Sequence, residues 1–222
     1  MTTSKKKTAK PPARTGGKAD QQQSQPRKIP WLGIAFGAIA LALVGAIVFS
    51  SDEAIGSEFG EVTVDGALPP FVDPATDSAI GMPAPEVEGE DFDGNTVVIE
   101  NDGTAKAVVF LAHWCPHCQA EVPRVQAWLD EGGGVEGVEI VSVTTSMNSA
   151  QPNYPPSEWL DRENWTSPVI RDDSDSTALS SYGAGGFPYW VFVAADGSVT
   201  RRSAGQLDIP TLEAFMTEAA NA

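Results

Sequence analysis

Both cysteines and both histidines of this 222-residue chain fall between positions 113 and 118, in the stretch "HWCPHC". Thiols and imidazoles are the side chains that exchange electron pairs and protons near neutral pH. Two chemistries fit. Cys115 and Cys118 form a Cys-x-x-Cys redox pair, or the two sulfurs join His113 and His117 around a metal ion. A structural zinc site usually draws two ligands from each of two separated segments. Six consecutive residues fold poorly round one ion, so metal is the weaker alternative. A disulfide kept only for stability is weaker too, because a bridge across so short a loop removes little chain entropy.

The flanking elements decide what such a pair can do. "AKAVVFLA", 105–112, is an unbroken, valine-rich apolar run, the pattern of a strand buried on both faces. "CQAEVPRVQAWLD" then spaces Cys118, Val122, Val125 and Leu129 by four, three and four, one face of a helix, with Pro123 predicting a kink. Cys115 therefore stands at the helix N-terminus. Unpaired N–H groups and the positive end of the macrodipole stabilise a thiolate there. Pro116 suits the first turn. Cys118, one turn inward, is shielded. Cys115 is thus expected to attack a substrate sulfur and Cys118 to resolve the mixed disulfide. His117, between them, is placed to stabilise the thiolate, hence the reduced dithiol, and to make the disulfide more oxidising. His113 is either a proton shuttle or a loop histidine without a role.

The rest of the chain supplies a scaffold. "DGNTVVIE" predicts a turn and a short strand. Val138 to Val143 predicts another, "SPVIRD" a third, and "FPYWVFVAADGSVTRRSAG" a hairpin turning at Asp196-Gly197. Short helices are expected over "PPSEWLDREN", capped by Ser157, and "DSTALSSYG", closed by Gly183. The closing helix, "IPTLEAFMTEAANA", turns Leu212, Phe215, Met216 and Ala219 inward. Strands alternating with helices predict an α/β fold, a central sheet with helices on both faces.

Charge is distributed unevenly. Residues 1–28 carry eight Lys/Arg against one acid, and residues 51–222 carry six against 29, within a net charge of −16. The uncharged run Ile29 to Ser51 lies between. About 20 helical residues cross a bilayer core, so residues 29–51 are expected to be a single-span signal anchor. A cleaved signal peptide and a buried helix are the alternatives. The basic flank places 1–28, a disordered tail, in the cytoplasm, and the remainder outside. Residues 52–81 are then an extracytoplasmic linker with one short strand, and 82–222 the folded domain. The acidic domain argues against nucleic acid as a partner. Outside the cytoplasm disulfides persist.

Taken together, "MPAPEVEGEDFDGNTVVI", "AVVFLAHWCPHCQAEVP" and "YGAGGFPYWVFVAADGSV" resemble the thioredoxin superfamily, and within it the membrane-tethered TlpA/ResA-like thiol-disulfide oxidoreductases, over about residues 82–220. The Pro-His dipeptide is DsbA-like. The resemblance implies a thioredoxin-like fold, a cis Phe187-Pro188 bond facing the cysteines, and substrate contacts at Trp114, Phe187 and Pro188. It gives Glu121 the handling of the Cys118 proton. The acid that thioredoxin and DsbA carry six residues before the first cysteine is here Val109. No cofactor or metal is implied. The expected partners are exported protein thiols and disulfides, and a membrane redox partner that recycles the pair. Apocytochrome c thiol reduction and a non-catalytic thioredoxin-like binding or chaperone module are the alternative functions.

Overall fold

The computed structural model describes residues 58–222; the expected tail, 1–28, and anchor, 29–51, lie outside the described residues. Among the described residues no helix is long and apolar enough to cross a membrane.

The valine-rich run is strand β4, Ala105–Leu111, buried at every position. It pairs in parallel with β5, Val138–Thr144, and antiparallel with β7, Tyr189–Val193. Strand β6, Val169–Arg171, adds parallel to β5, and β8, Val199–Ala204, antiparallel to β7, giving the order β6-β5-β4-β7-β8. A separate sheet joins β1, Thr63–Asp65, β2, Glu86–Glu90, and β3, Thr96–Ile99.

Alternation along β4 feeds two cores. Ala105, Ala107, Val109 and Leu111 meet α1, Pro116–Asp130, α2, Pro156–Arg162, and α4, Ile209–Ala220, through Val122, Val125, Trp159, Leu212 and Met216. Val108 and Phe110 face the other way, toward Val87, Ile99, Ala178 and Tyr182. Helices lie on both faces, as the sequence pattern predicts, but they cover them unequally. Among the described residues the second face carries the three-stranded sheet and one short α-helix, α3, Thr177–Ser181. Helix α1 runs on through Pro123, which lies on its exposed side.

Two local expectations change. Ser157 does not cap α2: Pro155 holds the cap position, and Ser157 gives its N–H and hydroxyl to the Glu58 carboxylate at 3.1 and 2.7 Å. Glu58 thus supplies the acceptors for that helix end from 99 residues away. The stretch 52–81, expected as a linker, packs on the domain from Glu58 onward. Leu68 and Ala79 are buried, and Asp77 forms a two-pronged ion pair with Arg202 of β8. Scattered Gly and Pro conceal this, because the segment is held by backbone hydrogen bonds and one buried charge pair, not by a periodic apolar face.

Candidate active site

The β4/β7 register brings the distant parts together. Phe110 lies opposite Tyr189 in an antiparallel pair, so the chain leaving β4 toward the cysteines passes the chain entering β7 through Pro188. The Phe187-Pro188 bond is cis, as expected, and Pro188 is buried. The Cys115 thiol is directed at the Phe187 carbonyl oxygen, 3.7 Å away. Trp114 packs edge-on against Phe187, with ring centroids 5.8 Å apart, and its indole N–H donates to Ser146 O at 2.8 Å. Cys115, Trp114, Phe187 and Pro188 therefore form one cluster.

Cys115 is the N-cap residue of α1 with extended backbone, and Pro116 follows in the first turn. Gln119 N–H closes the first helical bond on Cys115 O at 3.0 Å. Both thiols are free and both are buried, Cys115 at 6 % exposure and Cys118 at 0 %. Burial drives the Cys118 thiol far above the ordinary thiol range, and the neighbouring Cys115 and Glu121 push it further the same way. Its proton is held until something takes it.

Glu121 lies one turn beyond Cys118 and is 1 % exposed. It accepts from Trp190 Nε1 at 2.9 Å and from Leu207 N at 3.2 Å, both through Oε1. Among the described residues Oε2 has no hydrogen-bond partner; Arg124 Nη2 is 4.0 Å from it. Burial raises the carboxyl above the usual carboxylate range, and these two hydrogen bonds offset part of that rise. Val109, at the position of the absent acid, is buried in the same core.

The histidines diverge. His113 is 1 % exposed, with Nδ1 at 2.7 Å from Pro152 O and Nε2 accepting Asn148 N–H at 3.1 Å. A carbonyl only accepts and an N–H only donates, so the ring is neutral with its proton on Nδ1. Burial also lowers its basicity. Both nitrogens are thus occupied, and the proton-shuttle expectation gives way to a structural one: His113 pins the 148–152 loop. His117 is exposed and forms a reciprocal pair with Gln206. Its Nδ1 is 3.1 Å from Gln206 Oε1, and Gln206 Nε2 donates to His117 O at 3.1 Å. Among the described residues no three His, Cys, Asp or Glu side chains converge as metal ligands.

Three participants escape the sequence reading. Trp190 carried a usable signal, since a buried indole N–H needs an acceptor and Glu121 stands on an apolar helix face. Gln206 and the second cis bond, Tyr154-Pro155, beside His113, carried none.

Known proteins share this arrangement of elements. The Redoxin family model matches residues 79–216. The thiol-disulfide oxidoreductase ResA of Oceanobacillus iheyensis is 28 % identical over 146 residues, 64 % of this chain and 73 % of that protein. The sporulation thiol-disulfide oxidoreductase A of Bacillus subtilis is 24 % identical over 60 % of this chain and 75 % of that protein. The crystal structure of the thioredoxin domain of a Bacteroides vulgatus thiol-disulfide oxidoreductase superimposes with a TM-score of 0.51, at 21 % identity, covering 63 % of this chain and 96 % of that one. This chain belongs to the Redoxin family and has its thioredoxin-like fold.

Proposed function

We propose that the chain is a membrane-anchored, extracytoplasmic thiol-disulfide oxidoreductase that exchanges disulfides with exported proteins through Cys115 and Cys118. The observation that carries this is the pairing of a helix-capping Cys115 with the Phe187 carbonyl beside a cis proline, with a buried Cys118 one turn behind. The relatives named as thiol-disulfide oxidoreductases support the same activity.

The step is an exchange of sulfur bonds. In the reducing direction the Cys115 thiolate attacks one sulfur of a substrate disulfide. A Cys115–substrate bond forms, the substrate bond breaks, and the other substrate sulfur leaves as thiolate. Cys118, once deprotonated, attacks Cys115 Sγ and expels the second substrate thiolate. Two electrons pass from the dithiol to the substrate; the oxidising direction is the reverse. The half-buried Trp114 and Phe187 form the surface that meets the substrate, with the buried Pro188 directly behind Phe187. Glu121, three residues on in α1, is a buried carboxyl whose charge acts on the Cys118 thiol, and it takes the Cys118 proton. His117, with its ring held by Gln206 at the mouth of the site, tunes the balance between directions.

The uncharged run at 29–51, with its basic N-terminal flank, supports anchoring with the domain outside the cytoplasm. A membrane redox partner then recycles the pair. Two assays test the proposal. Reduction of a disulfide-bonded polypeptide by the full chain must vanish in Cys115→Ser. Protease added to intact spheroplasts must digest the domain; a protected domain overturns the topology.

A further inference from the structure

Residues 66–85 lie across the loop that delivers Phe187 and Pro188. Leu68 N–H donates to Ser181 O and Phe71 N–H to Gly183 O, each at 2.7 Å. The Tyr182 hydroxyl donates to Pro85 O at 2.6 Å. The Phe71 ring stands edge-on to Tyr189, 5.7 Å between centroids, directly after Pro188. The two backbones touch so closely that side chains are excluded. A Cβ on Gly183 would lie 2.4 Å from Pro69 O, and one on Gly185 would lie 3.0 Å from Phe71 O.

One ion pair ties the segment down. Arg202 gives Nε to Asp77 Oδ2 at 2.8 Å and Nη2 to Asp77 Oδ1. Its Nη1 reaches Pro69 O at 2.8 Å and Tyr182 O at 3.1 Å, bridging the segment to the loop. The Tyr189 hydroxyl also donates to Tyr182 O, at 3.2 Å. Arg202 and Asp77 are 0 % and 2 % exposed at their side chains. So large an investment of buried polar groups holds one short loop, and that loop ends at the carbonyl facing Cys115.

We infer that the Asp77–Arg202 pair and the segment 66–85 are positioning elements for the redox site: they fix the Phe187 carbonyl against the Cys115 thiol and so set the redox equilibrium. The direction follows from the contact. While Cys115 carries its proton, the carbonyl accepts from the thiol of the reduced form, and it has no donor to meet in the disulfide. A rigid Phe187 carbonyl therefore favours the dithiol, and a loosened one favours the disulfide.

The inference rests on Cys115 and Cys118 being the redox pair. The test equilibrates the full chain with reduced and oxidised glutathione and counts free thiols. Asp77→Asn and Phe71→Ala are compared with the unaltered chain, and melting is followed in parallel. Both variants are expected to shift the dithiol–disulfide equilibrium toward the disulfide by roughly fivefold, about 20 mV. A purely structural segment lowers the melting temperature and leaves that equilibrium unchanged, which would overturn the inference. Should Asp77→Asn fail to fold, Phe71→Ala decides, since its backbone bond to Gly183 remains. Failure of the underlying redox assignment looks different: the unaltered chain would show no glutathione-dependent disulfide at all.

Discussion

The indole N–H of Trp190 and the carboxylate of Glu121 meet at 2.9 Å across the buried contact between β7 and α1. That bond, with the one from Leu207 N, saturates Oε1 and leaves Oε2 bare one helical turn from Cys118. On the proposed function this carboxyl, whose charge acts on the buried Cys118 thiol, takes the Cys118 proton.

Glu121→Gln keeps an oxygen for Trp190 and Leu207 but removes the base. Resolution of the mixed disulfide is expected to slow by about 10²-fold, the lower range for general-base catalysis, with the first attack unchanged; rapid-quench trapping separates the two steps.

The same substitution changes stability with pH. Burial raises the Glu121 carboxyl in the folded chain above its unfolded value. The folded state therefore binds more protons between those two values, and stability falls as pH rises through that window. Asp172 is also raised by burial, so the informative quantity is a difference. The melting temperature of Glu121→Gln minus that of the unaltered chain should grow as pH rises above about 4, the ordinary carboxyl value. A difference constant with pH contradicts a buried, raised Glu121.

His117→Leu addresses direction. Stabilising the thiolate stabilises the dithiol, so removing the imidazole should move the potential tens of mV toward reducing; for scale, thioredoxin and DsbA stand at about −270 and −120 mV. Titration in glutathione buffers reads this. An unchanged potential removes His117 from the tuning machinery.

Gly183→Ala tests the close approach of segment 66–85. Gly183 has φ of +66°, and a Cβ would meet Pro69 O at 2.4 Å. The left-handed backbone and the collision together should cost about 2–4 kcal/mol, read by urea denaturation. A loss under about 0.5 kcal/mol, typical of surface changes, contradicts the packing described.

Much of this fold was legible because its signals are local. The apolar run of β4, the spacing of α1 and the Asp196-Gly197 turn each follow from a few adjacent residues, and all three elements stand where the pattern places them. The juxtaposition of Cys115 with Pro188 was legible only through family resemblance, since 73 residues separate them and the β4/β7 register alone closes that gap. Segment 66–85 was not legible. Its anchors are main-chain groups and Asp77, whose partner Arg202 lies 125 residues away. His113 misled for a related reason. A histidine beside a reactive cysteine invites a chemical role, and only the 148–152 loop, folded back on both ring nitrogens, reveals a structural one.

The most direct measurement is covalent trapping. The reduced full chain carrying Cys118→Ser is mixed with a disulfide-bonded polypeptide and resolved without reductant. A mixed disulfide through Cys115 is expected to accumulate, to dissolve on adding dithiothreitol, and to be absent when Cys115 is also serine. No adduct with Cys118→Ser, or an adduct that survives loss of Cys115, contradicts a Cys115–Cys118 exchange centre.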